Sequence, residues 1–264
     1  MFKYVSAAVI GFAALSAAGA AAADGFYVSG SVGGSYRPAD DTTSSYARDP
    51  FGNSLEINGV VQPFSYANRV HYDIGVDTDE AVGYRFDFGQ RGSVRTEVDI
   101  EYGNYGIGKI DIGTGVNPHD TTIYSGSAKP VGTLSDQHVN GTFNAFYDLK
   151  IFRAFTPYVG MGVGYHYGFS SSGERNRTFT YSAPASSPAG SGPTISGPPG
   201  AVVRGMNTET VSGSVSRDGA YLAEVGVAIP ILDRLSIVPA YRYTNVFNEG
   251  TPVHILKVGL RYSF

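Results

Sequence analysis

Apolar and polar residues alternate with a period of two along most of the chain that follows its first 24 residues. Between 94 and 102, for example, Val94, Val98 and Ile100 alternate with Glu97 and Asp99. Successive side chains of a β-strand point to opposite faces, so the alternation predicts strands with one apolar face and one polar face. Eight such strands are predicted, at about 26–36, 70–88, 94–102, 139–148, 155–168, 217–229, 235–244 and 253–264.

The segments between these strands alternate in length. Short segments follow the second, fourth and sixth strands, whereas long ones follow the first, third and fifth (about 37–69, 104–138 and 169–216). An even number of antiparallel strands with short turns at one end and long loops at the other is typical of transmembrane β-barrels. We therefore predict an all-β fold, an eight-stranded antiparallel up-and-down transmembrane β-barrel, with both termini on the periplasmic side. The alternative is a soluble β-sandwich or lipocalin-like barrel.

The first 23 residues are typical of a secretory signal peptide. Lys3 precedes an apolar run, and Ala21 and Ala23 form a small-residue cleavage pattern, which predicts a mature chain of residues 24–264 that begins at Asp24. No later stretch is apolar for the ~18 residues that a membrane helix needs. Export, the alternating loop lengths and a tyrosine-rich apolar face together favour the membrane barrel over the soluble alternatives.

The polar face of the strands would line the interior of such a barrel. An eight-stranded barrel is just wide enough for side chains to fill it. Five basic and five acidic residues lie on this face, so we expect a structural network of paired charges rather than a catalytic cluster or an ion path. The ten residues are Arg85, Asp87, Arg95, Glu97, Asp99, Glu101, Glu224, Arg242, Lys257 and Arg261.

Three features fit the barrel pattern less simply. Glu80 falls on the predicted lipid-facing side, where a position near the membrane interface or a β-bulge would account for it. Pro239 lies inside the seventh strand, where a bulge or an unpaired donor position would account for it. The segment 182–200 consists almost entirely of serine, alanine, glycine and proline, which predicts a flexible loop tip. Alternation resumes on both sides of that segment, so the fifth and sixth strands are expected to continue beyond the membrane as a ribbon.

Three runs of sequence resemble known proteins. The run 256–264 resembles the terminal strand of outer-membrane barrels, while 25–30 and 241–243 resemble the small OmpA-like and opacity-protein-like barrels, including alphaproteobacterial surface antigens. The resemblance implies a bacterial outer-membrane location in contact with lipid and lipopolysaccharide. It also implies that the barrel insertion machinery reads an assembly signal formed by Val258, Leu260, Tyr262 and Phe264. Because the chain stops at Phe264, no peptidoglycan-binding domain is expected after the barrel.

Candidate chemistry is sparse. The chain has no cysteine and five histidines, and none of these histidines is followed two positions later by serine, as in the barrel lipid A deacylases. Acidic residues such as Asp40, Asp41, Asp77 and Asp79 form no dense oxygen-ligand loop, so they are interpreted as solvated loop charges. We expect no enzyme activity, no cofactor and no metal.

The function is therefore expected to reside in the loops. The formal net charge of −4, without a basic stripe, argues against nucleic acid as a partner. The favoured hypothesis is a surface protein with a structural or adhesion role, whose loops contact host or other cell-surface ligands. The alternatives are a barrel that binds or transports a small apolar ligand or haem and, after that, a lipid-modifying envelope enzyme.

Overall fold

The computed structural model describes residues 25–46, 55–57, 60–62, 64–116, 123–132, 134–152, 154–182, 202–247 and 251–264. The predicted signal peptide lies outside this part of the chain. No helix among the described residues is long and apolar enough to cross a membrane. The strands are β1 Phe26–Tyr36, β2 Asp40–Tyr46, β3 Leu55–Ile57, β4 Val60–Gln62, β5 Phe64–Tyr72, β6 Gly75–Asp87, β7 Ser93–Val116, β8 Ile123–Val131, β9 Ser135–Asp148, β10 Thr156–Ser170, β11 Gly173–Ser182, β12 Val202–Val211, β13 Val215–Leu232, β14 Leu235–Val246 and β15 Val253–Ser263.

Eight of these strands close into a ring. Its order is β1, β6, β7, β9, β10, β13, β14 and β15, and β15 returns to pair with β1. Every pairing in the ring is antiparallel. The predicted fold class, an eight-stranded up-and-down barrel, is thus confirmed, because each strand pairs with the next strand of the ring and no edge is left open.

The second predicted strand, 70–88, is corrected by the structure into two strands. β5 ends at Tyr72 and β6 begins at Gly75, with Asp73 and Ile74 between them. The interruption follows from a change of partner: β6 pairs with β1 inside the ring, whereas β5 pairs with β2 outside it.

The outer face of the ring is apolar and the inner face is polar. Large exposed side chains on the outside include Val82, Val98, Phe143, Met161, Val163, Val225, Leu256, Val258 and Leu260. A soluble barrel would show the reverse distribution, because soluble proteins rarely expose an apolar surface of this size to water. The distribution is that of a transmembrane barrel, in which lipid covers the apolar band.

Aromatic residues mark both ends of the apolar band. At the end with the short turns (the turn end), the ring of Phe26 packs against Tyr84 at 4.9 Å, and Tyr262 packs against Phe264 at 5.2 Å. At the opposite end (the loop end), Tyr241 stacks on His254 at 6.1 Å between centroids. Aromatic girdles at both interfaces are a property of transmembrane barrels, because an amphipathic ring suits the boundary between headgroups and hydrocarbon.

Beyond the loop end, the three segments predicted as long loops contain strands that form a second sheet. Its order is β2, β5, the distal part of β7, β8, β11 and β12, and we call it the external sheet. The predicted ribbon is present as β11 and β12, although breaks at 171–172 and 212–214 separate it from β10 and β13. The predicted loop tip lies mostly outside the described residues, which resume at Val202. The 24-residue β7 joins the external sheet to the ring.

The ladder between β13 and β14 accounts for Pro239. This ladder pairs Gly226 with Ala240 and Ile229 with Ile237, but omits the positions between them. Pro239 therefore lies where the β13–β14 ladder is interrupted, while its pairing with Val258 of β15 continues. Proline lacks an N–H, so a gap in one ladder is where a strand tolerates it. Glu80 lies half-buried in the ring, opposite Gly30 and Ile100.

Candidate functional site

The barrel lumen near the turn end is filled by a cluster around Arg95. The Arg95 Nε atom donates to Asp148 Oδ1 at 2.8 Å, and its guanidinium lies 4.6 Å from the ring centroid of Phe146 and 4.8 Å from that of Tyr158. The hydroxyl of Tyr27 donates to Glu97 Oε2 at 2.7 Å. We call this group the Arg95 cluster; it comprises Tyr27, Arg95, Glu97, Phe146, Asp148, Tyr158 and Arg261.

Arg242 occupies the middle of the lumen and contacts three carboxylates. Its Nε atom donates to Glu224 Oε2 at 2.7 Å, one Nη atom donates to Asp99 Oδ2 at 2.7 Å, and the other donates to Glu101 Oε2 at 2.8 Å. The side chain is only 1% exposed. The five N–H groups of a guanidinium form a rigid fork, so Arg242 of β14 can hold acceptors from two other strands, β7 and β13, in fixed positions.

Lys257 extends this central group. Its Nζ atom donates to Asp79 Oδ2 at 2.5 Å and lies 2.9 Å from Glu224 Oε2. The hydroxyl of Tyr158 donates to Glu224 Oε1 at 2.7 Å, which connects the central group to the Arg95 cluster. The lumen is thus bridged from wall to wall by hydrogen bonds between side chains of different strands.

A third group lies nearer the loop end. The Nε2 atom of His138 is 3.4 Å from Glu101 Oε1 and 3.5 Å from Asp77 Oδ1, and these three ligand atoms all lie within 4.8 Å of one another. Asn140 Nδ2 donates to the same Glu101 oxygen at 2.8 Å. The ring of His166 stacks on that of His138 at 5.6 Å between centroids. One imidazole nitrogen and two carboxylate oxygens form a donor set that could hold a metal ion.

Above the loop end, a cavity of about 280 Å³ lies between the barrel and the external sheet. Tyr72, Leu134 and Phe169 contribute to its apolar wall, and Arg37 and Asp136 form an ion pair at 3.3 Å on its lining. The cavity differs from the lumen below it, where the void among the charged side chains amounts to only about 30 Å³.

Exposed ion pairs brace the external sheet. Arg69 donates to both carboxylate oxygens of Asp41, at 2.8 and 2.9 Å, and these hydrogen bonds hold the pKa of Asp41 below its ordinary value. The pKa of Asp111 is lowered in the same way, first by its hydrogen bond with Lys109 and then by its contact with His71. The Asp41–Arg69 pair joins β2 to β5, and the contact between Asp111 and His71 joins β7 to β5.

Comparison with known proteins gives matches among solved structures alone: neither a family model nor a curated protein sequence matches the chain. Neisserial surface protein A is 15% identical, with 90% of this chain and 97% of that chain covered and a TM-score of 0.42. OprG from Pseudomonas aeruginosa is 12% identical, with coverages of 91% and 96% and a TM-score of 0.41. Ail of Yersinia pestis, in complex with the heparin analogue sucrose octasulfate, is 10% identical, with coverages of 91% and 99% and a TM-score of 0.38.

The chain folds as an eight-stranded transmembrane β-barrel, because its ring of strands is closed and its outer face is apolar.

The structure places eight of the ten predicted lumen residues in the buried interior, namely Arg95, Glu97, Asp99, Glu101, Glu224, Arg242, Lys257 and Arg261. Arg85 is half-buried at the turn end and donates to Ser263 Oγ at 3.2 Å. The expectation for Asp87 is corrected: its side chain is exposed, accepts from the Gly89 N–H at 2.8 Å and pairs with Lys150 at 2.6 Å. Asp87 is the last residue of its strand, where the wall no longer encloses side chains.

Two acidic residues were interpreted wrongly as solvated loop charges. Asp77 and Asp79 point into the lumen and are buried. Other lumen residues were also missed, among them His138, Asp148 and His166. The sequence pattern could have identified these two histidines and three aspartates, because all five occupy inward-facing positions of the period-two alternation. Asp77 and Asp79 share the odd-numbered face with Arg85, and His138 and Asp148 lie opposite the outward Val139 and Tyr147.

Three of the four predicted assembly residues lie on β15, and Phe264 directly follows this strand. Val258, Leu260 and Tyr262 have exposed side chains on the outer face, and the N–H of Phe264 donates to the carbonyl of Phe26 at 3.0 Å. The strand that carries them is the one that closes the ring against β1. Their reading by the insertion machinery stays a prediction.

Proposed function

We propose that this protein resides in the bacterial outer membrane and acts there as a surface protein, with a structural or adhesion role rather than an enzymatic one. In this proposal the barrel is an anchor in lipid and lipopolysaccharide, inserted by the barrel assembly machinery, and the external sheet presents its loops to host or cell-surface ligands. The observation that carries the proposal is the contrast between a lumen filled by paired charges and a hydrogen-bonded sheet that projects beyond the loop end.

The filled lumen argues against a transport pore. Arg95, Arg242 and Lys257 bridge the lumen at successive levels, and a void among them of about 30 Å³ has room for roughly one or two water molecules. A solute could pass only if several buried ion pairs opened at once. Each broken pair would leave an uncompensated charge in the barrel, at a cost of about 3–5 kcal/mol.

The external sheet supports an interaction role. Six strands continue the hydrogen-bonded backbone beyond the membrane, so the segments between them (47–54, 117–122 and 183–201) are carried on an ordered base. Loops held by a rigid scaffold are where binding residues are commonly found. The first strand of the barrel begins, and the last strand ends, at the turn end. We propose that this end is periplasmic, so that the external sheet faces outward from the cell.

Two measurements test this function. In planar bilayers, the refolded protein is expected to give no stable conductance; a large, steady porin-like current would contradict the anchor proposal.

In an adhesion assay, bacteria that display the protein are expected to bind cells or matrix less well when 117–122 and 183–200 are shortened. The matched control is Lys150→Gln at the turn end, which should leave adhesion unchanged. Unaltered adhesion in both loop variants would contradict the interaction role.

A second candidate function is supported by the cavity above the lumen. Its apolar wall and charged lining suit a small amphipathic ligand, and its volume of about 280 Å³ lies just below the range of about 300–1,000 Å³ that drug-sized ligands occupy. We therefore favour a small apolar molecule over haem as its occupant. The test is the binding of an apolar fluorescent probe to the refolded protein. Leu134→Asp, which changes the cavity wall, should weaken the affinity for the probe, whereas Leu232→Asp on the exposed turn side should leave it unchanged. Equal affinities in the two variants would contradict this role.

A further inference from the structure

Three strands of the ring bring ligand atoms of Asp77, Glu101 and His138 to one point of the lumen wall. Asp77 lies opposite Gly103 on β7, and Gly103 lies opposite His138 on β9. A Cβ atom at Gly103 would overlap both the Asp77 carboxylate and the His138 ring, so glycine at this position leaves the space in which the three groups converge. We call Asp77, Glu101 and His138 the His138 group.

Two of the three distances within the His138 group match metal coordination better than a simple ion pair. Around a tetrahedral ion with bonds of about 2.0–2.1 Å, neighbouring ligand atoms lie about 3.3–3.4 Å apart. His138 Nε2 is 3.4 Å from Glu101 Oε1 and 3.5 Å from Asp77 Oδ1. A charge-assisted hydrogen bond would be shorter, at about 2.7–2.9 Å. Moreover, the single Nε2–H of a histidine cannot point directly at two acceptors.

The surrounding charges call for a further cation. In the middle and loop-end parts of the lumen, five buried carboxylates face two buried side chains that are cationic at neutral pH, besides the imidazoles of His138 and His166. Buried charges without a counter-charge are costly, so an excess of carboxylates favours the binding of a cation. The carboxylates are those of Asp77, Asp79, Asp99, Glu101 and Glu224, and the basic residues are Arg242 and Lys257.

An unpartnered oxygen lies within the same group. Asp77 is 3% exposed, and among the residues that the structure describes its Oδ2 atom has no hydrogen-bond partner. Its other oxygen faces His138 and accepts from the Tyr105 hydroxyl at 3.4 Å. A carboxylate in this position can rotate or bind in a bidentate manner, which would satisfy both oxygens with one ion.

Hydrogen bonds from neighbouring side chains fix the orientation of the proposed ligands. Asn140 Nδ2 donates to Glu101 Oε1 at 2.8 Å, and the Asn140 Oδ1 atom is 2.7 Å from His166 Nδ1. Arg242 holds the second oxygen of Glu101 at 2.8 Å. Metal-binding carboxylates and histidines are usually oriented by such partners.

The cavity above the lumen lies close to the His138 group. Gly168 and Ser216 line this cavity, and a Cβ atom at Gly168 would come within 2.7 Å of His166 Nε2. His166 in turn stacks on His138. The His166 ring is therefore next to both the cavity lining and the His138 group.

We propose that Asp77, Glu101 and His138 bind a divalent transition-metal ion of the zinc type inside the barrel, with water completing its coordination. An imidazole nitrogen favours ions of this type over Mg²⁺ or Ca²⁺, which take oxygen ligands. The bound ion connects three adjacent strands and neutralises the excess of carboxylates.

The test uses tag-free, refolded full-length protein that has been stripped with a chelator. Equilibrium dialysis against Zn²⁺ is expected to give one ion per chain, and an excess of Mg²⁺ or Ca²⁺ should not displace it. His138→Gln should weaken zinc binding more than 100-fold, and Asn140→Ala about 10-fold, because outer partners contribute about 10–100-fold to metal affinity. His254→Gln is the matched control, since His254 lies on the outer face beside Tyr241, and it should bind zinc as the wild type does.

Folding of every variant is checked by heat-modifiable gel migration. If His138→Gln does not fold, the wild-type protein and Asn140→Ala decide the question with Co²⁺, whose visible absorption intensifies at a four- or five-coordinate site. No zinc uptake by the wild type, equal uptake by folded His138→Gln, or a Co²⁺ spectrum that stays that of the hydrated ion would overturn the proposal. Loss of binding in His254→Gln would also overturn it, because the ion would then lie on the outer surface.

Discussion

Replacement of Arg242 by methionine is the sharpest perturbation of the lumen network. Methionine retains much of the side-chain length but removes hydrogen bonds to Asp99, Glu101 and Glu224 at 2.7–2.8 Å. Three charge-assisted hydrogen bonds at about 1.5–3 kcal/mol each give an upper bound of about 5–9 kcal/mol. Lys257 still faces Glu224 at 2.9 Å and relieves part of the loss. We therefore expect the free energy of unfolding to fall by about 3–5 kcal/mol, the range for a broken buried ion pair.

Urea unfolding in lipid vesicles, followed by heat-modifiable gel migration, measures this change. With a denaturant dependence of about 2 kcal/mol per molar urea, a loss of 4 kcal/mol lowers the midpoint by about 2 M. Arg69→Met is the matched control, since it removes an equally well-formed arginine–aspartate pair that is exposed on the external sheet, and its midpoint should stay at the wild-type value. A midpoint for Arg242→Met that coincides with that of the control would refute the reasoning that buried charge pairs stabilise the barrel.

Three further predictions concern the remainder of the chain. Deletion of 183–200 with a two-residue turn in its place should leave the barrel folded, because Ser182 already lies opposite Val202 and loop closure changes by only about 0.6 kcal/mol per halving of length; loss of heat-modifiable migration would mean that the segment packs on the barrel. The Asp41–Arg69 pair should stabilise the β2–β5 pairing above the ordinary aspartate pKa of about 3.9 and cease to do so as the pH falls through the lowered pKa of Asp41. Amide protection in β2, measured relative to the intrinsic exchange rate at each pH, should therefore fall in acid in the wild type but not in Arg69→Met. Intact mass should show a mature chain that begins at Asp24, and a mass that includes Lys3 would contradict cleavage.

The strands of the ring were predictable because each is a local pattern with one face in lipid. Val94 to Tyr102 shows this best, since its alternation alone assigned Arg95, Glu97, Asp99 and Glu101 to the interior. The external sheet could be predicted only in part. The ribbon of β11 and β12 followed from local alternation, whereas the pairing of β11 with β8 joins segments about 50 residues apart and left no local trace.

The His138 group was missed for a related reason. His138 and Asp77 were each assigned to loops, and alternation indicates which face a side chain takes but not which strands become neighbours around the ring. Only the pairing of β7 with both β6 and β9 shows that Asp77, Glu101 and His138 meet. Applied to every strand, the alternation would have placed all three side chains in the lumen, but it could not have shown that they are in contact.

The length of β7 sets how far from the bilayer a partner meets this protein. Twenty-four residues at about 3.3 Å each span about 80 Å along the strand. The apolar band of such barrels is only about 25 Å tall, so even a tilted strand rises tens of ångströms above the headgroups. A large partner could then dock without its own surface having to approach the lipid. A pull on the tips would be transmitted along one unbroken strand, as shear between β7 and its neighbours, into the ring itself.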